Sequence, residues 1–125
     1  MKYIIIALVI TLATSCICQK KTSKDQEPKV TKTVSQSRFI VSFFSRGGGI
    51  DHDLKREFTS FLQTNYADIT YNEVKWGREG EVDYCFELTE LDSKKTDTFI
   101  QQATELVSES KLIRIKENET CRTPR

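Results

Sequence analysis

Two stretches of mostly apolar, β-favouring residues, Ile69 to Trp76 and Glu81 to Leu88, flank the tetrapeptide Gly77-Arg78-Glu79-Gly80. Glycines on either side of a polar tip between two such stretches specify a β-hairpin. Pairing across the tip sets Trp76 opposite Glu81, Tyr71 opposite Phe86 and Ile69 opposite Leu88. A slip of one residue would scatter the apolar side chains over both faces, so the register carries its own check. In this register Val82, Tyr84, Phe86 and Leu88 join Ile69 and Tyr71 on one side. The chain is thereby committed to a sheet with one apolar face, and something must cover that face.

The flanking segments supply the cover. Arg38 to Ser45 is β-branched and aromatic and predicts a strand, followed by a glycine loop, Arg46-Gly47-Gly48-Gly49-Ile50. Asp51 to Tyr66 places Leu54, Phe58, Phe61 and Leu62 on one helical face, with Asp51 as the cap. Asp92 or Ser93 caps a second helix whose face is Thr96, Phe99, Ile100, Ala103, Leu106 and Val107. Leu112 to Glu117 predicts a last strand before a polar tail. The order β-α-β-β-α-β predicts an α+β ferredoxin-like plait over residues 38–125: a four-stranded antiparallel sheet with two helices on one face. The expected core adds Phe39, Val41, Phe43, Ile113 and Ile115 to the residues already named.

Residues 1–15 read as a signal peptide. Lys2 charges a short start, Ile4 to Leu12 is apolar, and Ala13, Thr14 and Ser15 are small. The apolar run is about half of what a membrane span needs. Ala13-Thr14-Ser15-Cys16 resembles a bacterial lipobox, although the position three before the cysteine is usually Leu. The resemblance implies that Cys16 becomes the lipidated N-terminus, with palmitate among its acyl chains, and that the protein is an envelope lipoprotein. No Asp follows Cys16, which by resemblance to lipoprotein sorting favours a periplasm-facing leaflet, as at the outer membrane. The rival reading is cleavage after Cys18, leaving a soluble periplasmic or secreted protein that begins at Gln19.

Residues 16–37 form the lipidated start and a tether. From Gln19 to Ser37 the only apolar residues are Val30 and Val34, and five Lys face Asp25 and Glu27. Such a segment buries too little surface to offset ordering and is expected to be disordered. From Arg38 onward there are 13 basic and 16 acidic residues, a net charge of −3. That balance argues against a nucleic-acid partner, which needs a concentrated basic face.

Four groups of residues invite a chemical reading. Cys85 and Cys121 remain once the leader pair is set aside, and in an exported domain they are expected to form a disulfide, with two free thiols or an intermolecular bridge as the competing reading. No cysteine or histidine spacing suits a metal, since His52 is the single histidine, and no cofactor motif is present. Arg46, Gly47, Gly48 and Gly49 precede a helix N-terminus and form a candidate anion loop. Acylphosphatases are similar in using this loop of this fold for phosphate, but their glycine-containing motif does not match SRGGGIDHD, and Asp51 and Asp53 bring opposing charge. The alternating Glu81, Asp83 and Glu87 read as a solvated sheet face. On the sheet face without helices, Ile40, Phe44, Val74 and Trp76 form a candidate partner surface, with cover by the C-terminal tail as the competing reading. The whole resembles small exported bacterial domains to which no activity is attached. The expectation is a binding module rather than an enzyme, joined to the membrane by its lipid and meeting an envelope protein or a second copy of itself.

Overall fold

The computed structural model describes residues 36–123, so the leader, Cys16 and most of the tether lie outside the described residues. The elements are Gln36–Phe43 (β1), His52–Asn65 (α1), Tyr71–Lys75 (β2), Val82–Phe86 (β3), Ser93–Val107 (α2) and Ile113–Thr120 (β4). The strands form one antiparallel sheet in the order β2-β3-β1-β4. This is the ferredoxin-like plait, and β3 and β4 both flank β1.

Local chemistry starts each helix. Asp51 Oδ1 accepts from the Leu54 amide at 3.0 Å, and Asp92 Oδ1 accepts from the Lys95 amide at 2.9 Å. Both carboxylates satisfy a donor that the first turn leaves unpaired. The hairpin register is the one its glycines and apolar residues specify: Tyr71 pairs with Phe86 and Lys75 with Val82. The Trp76 amide donates to the Glu81 carbonyl at 2.9 Å, closing the tip.

Phe58 and Leu62 of α1 and Phe99, Ala103 and Val107 of α2 are buried in one cluster with Phe39, Val41, Phe43, Val82, Tyr84 and Phe86. Aromatic edges and faces hold the layers together, with Phe58 and Tyr84 ring centroids 5.4 Å apart and those of Phe86 and Phe99 5.2 Å apart. Each such contact contributes about 1 kcal/mol beyond area burial. Burial pushes the Tyr84 phenol up, with the nearby Glu73 and Tyr71 adding to it.

The structure departs from the sequence expectations in five places. Tyr71 is 38 % exposed although its ring lies against Tyr84 and Phe86, because β2 is an edge strand. Leu54, Phe61, Ile100, Leu106, Ile113 and Ile115 are only partly buried at the rim of the core. Ile50, expected in the loop, is buried. The first strand begins at Gln36, two residues early, and the last runs to Thr120 through the polar Glu117-Asn118-Glu119. Those two extensions pair with each other, Gln36 with Thr120 and Ser37 with Glu119, so backbone pairing overrides weak strand propensity.

Candidate functional site

The glycine loop after β1 is closed from within. Gly47 and Gly49 take φ of 102° and 86°, a conformation that only glycine adopts without strain. It turns both amides onto the Ser45 hydroxyl, each at 3.0 Å, and that hydroxyl donates to the Glu79 carboxylate at the hairpin tip. The Ser45 bond holds Glu79 below its usual carboxylate value; desolvation opposes this, and the Gly49 and Gly47 amides assist it. The loop therefore cradles an anion that belongs to the chain itself. Arg46 lies over the Phe44 ring, with Cζ 5.9 Å from the centroid. His52 is exposed.

The sheet face opposite the helices is built from the side chains that alternate outward. In register they form a row across the sheet, since Asp83 pairs with Val74 on one side and Ser42 on the other, and Ser42 pairs with Arg114. The face is not bare. Cys85 and Cys121 are joined by a disulfide, with Cα atoms 6.0 Å apart, and this brings the C-terminal segment onto β3. Asn118, near the end of β4, takes a left-handed conformation at φ 55°. One residue past the disulfide, Arg122 sets its guanidinium 4.0 Å from the Trp76 ring centroid and donates from Nε to Asp83 Oδ2 at 2.9 Å.

Asp83 is thus held from two sides, because Trp76 Nε1 donates to its Oδ1 at 2.8 Å. Its side chain is only 4 % exposed, and a carboxylate that deep needs both partners to repay its desolvation. Every residue of β3 is buried, as expected of a strand covered on both faces. Ile40 and Val74 are buried at 2 % and 6 %, so these two members of the expected partner surface are part of the interior. Glu81 and Asp83 are buried as well, and only Glu87 of the three alternating carboxylates is exposed. At Asp83 the cover is the C-terminal tail, the competing reading of the sequence, whereas Glu81 folds into its own hairpin tip, where its Oε2 accepts from the Glu79 amide at 2.8 Å.

What remains accessible is an arginine–aromatic surface. Phe44 is half-buried just past the end of β1, with Arg46 on its ring and Arg114 of β4 at 5.3 Å from the centroid. Trp76 is half-buried under Arg122. Among the described residues neither Arg46 nor Arg114 has a carboxylate within 4 Å. The structure thus brings Phe44, Trp76 and Arg46 to one face and removes Ile40 and Val74 into the interior. Sequence reasoning missed Arg114, Arg122 and Asp83, and it missed the Ser45–Glu79 tie. Alternation did place Arg114 and Asp83 on the outer face, which was the available signal. Among the described residues no group of three or more His, Cys, Asp or Glu could hold a metal ion, and no helix is long and apolar enough to cross a membrane. No protein-family model, curated protein or solved structure matches the chain.

Proposed function

We propose that this chain is a membrane-anchored envelope lipoprotein whose domain acts as a non-enzymatic interaction module through its outer sheet face. One observation carries the reading. Phe44 and Trp76 sit half-buried on that face, each with arginine over its ring. Aromatic and arginine anchors held in fixed positions are the composition of binding hot spots. The anchoring half of the proposal rests on the sequence: the apolar leader, the small residues before Cys16 and the lysine-rich spacer up to Ser37. The anion-binding or acylphosphatase-like alternative has less support, because two of the loop amides that a phosphate would need are directed to Ser45.

The test uses the full chain in cells. A photoreactive phenylalanine analogue at position 44 should crosslink to a discrete envelope partner or a second copy, and one at Thr98 on α2 should not. In Cys16→Ala the protein should leave the membrane fraction. Equal crosslinking at both positions would refute the interface, and unchanged membrane association would refute the anchor.

A further inference from the structure

The geometry points to an acidic polypeptide segment, rich in Asp or Glu side chains, as the partner that the outer sheet face recognises. The inference deepens the interaction reading above and depends on it. Three guanidiniums converge on this face, while residues 38–125 as a whole carry a net −3. Arg46 and Arg114 share the Phe44 ring and have no carboxylate within 4 Å among the described residues. Arg122 uses Nε for Asp83, and among the described residues its two Nη groups make no hydrogen bond. Gathering like charges on one small surface is unfavourable in isolation and becomes favourable when an anion arrives.

Two features favour a carboxylate-bearing peptide over other anions. A guanidinium lying over an aromatic ring presents a planar fork that matches a carboxylate bidentately. The cations are also spread. Asp83, which anchors Arg122, and Arg114 lie in one row with the β1 residue Ser42 between them, so their backbones are two strand spacings apart, about 10 Å. A single phosphate cannot bridge that distance, whereas an extended segment covers it in about three residues. The disulfide is part of the site, because it delivers Arg122 to Trp76.

The single tryptophan is the reporter, since Trp76 sits in the site and no other Trp is present. Titrating the full chain with a short oligo-glutamate peptide should change Trp76 fluorescence saturably, and affinity should fall steeply with salt. Arg46→Ala, Arg114→Ala and Arg122→Ala should each weaken binding about 1.5- to fivefold, the range for exposed charge pairs. Arg56→Ala on α1 should leave it unchanged. Cys121→Ser should weaken binding as Arg122→Ala does, and Arg122→Ala keeps the disulfide in case the serine variant folds poorly. A peptide that leaves the fluorescence unmoved at millimolar concentration would overturn the proposal. So would binding only to phosphatidylglycerol vesicles, or an affinity in the Arg46→Ala and Arg114→Ala variants equal to that of the parent protein. If the peptide fails but the crosslink at position 44 persists, the interaction surface stands and its acidic partner does not.

Discussion

Ser45 illustrates how one hydroxyl settles the character of a loop. It gathers the Gly47 and Gly49 amides and passes a proton donor to Glu79, so a glycine-rich turn that could hold a foreign anion holds the hairpin tip instead. The depressed Glu79 value follows mainly from that hydroxyl. A depressed folded value means that the tie stabilises the fold above the ordinary carboxylate range and that this contribution is lost as pH falls through the depressed value. Ser45→Ala should therefore move the Glu79 titration up toward the ordinary value, followed through its side-chain carboxyl carbon. Its stability deficit should be largest near neutrality and shrink in acid. A Glu79 titration that is the same in both proteins would show that Ser45 does not hold it. Arg122 acts with comparable economy: stacking on Trp76 and bonding Asp83 turn a disulfide-held tail residue into part of the sheet face.

The helix starts and the last strand show where local code ends. Both caps are legible from the sequence, yet they are unequal. Asp51 Oδ2 also accepts from Ser110 Oγ at 3.2 Å, tying the start of α1 to the segment that leads into β4. Asp92 makes its cap and an exposed pair with Lys95. Asp51→Ala should cost about 1–2 kcal/mol and Asp92→Ala about 0.5–1 kcal/mol by urea unfolding, with Asp51→Asn intermediate because it keeps the cap acceptor. Equal losses at the two caps would mean that the Ser110 bond adds nothing. The extension of β4 to Thr120 has no such local signature. It exists because Gln36 and Ser37 offer partners on the adjoining strand.

Among the described residues the disulfide is the one covalent tie between distant parts of the fold. It closes a loop of 36 residues between Cys85 and Cys121. Chain entropy alone assigns such a loop about 4 kcal/mol, a large share of what a domain of this size has in total. Cys121→Ser should lower the unfolding free energy by about 3–4 kcal/mol and open the bond after Arg122 to trypsin. A non-reducing digest of the parent protein should yield the Cys85 and Cys121 peptides linked, and a free Cys121 peptide would contradict the bond. The buried Asp83 would lose Arg122 in the same variant, so part of the deficit should also appear in Arg122→Ala.

The alternation of Ile69–Leu88, the glycine tip, the two caps and the helical spacing of Phe58, Phe61 and Phe99 were sufficient for the plait and for the register of its hairpin. These are short-range patterns, and a single apolar face leaves them one way to pack. The same patterns placed Phe44 and Trp76 on the outer face and made Cys85 and Cys121 candidates for a bond. They could not show that Ile40, Val74 and Asp83 are interior residues, nor that Arg114 shares Phe44 with Arg46. Those facts depend on where a polar tail lies after the last strand and on which strand becomes an edge. Only tertiary structure decided them, because the contacts join residues some 40 to 70 positions apart and leave no period in the chain.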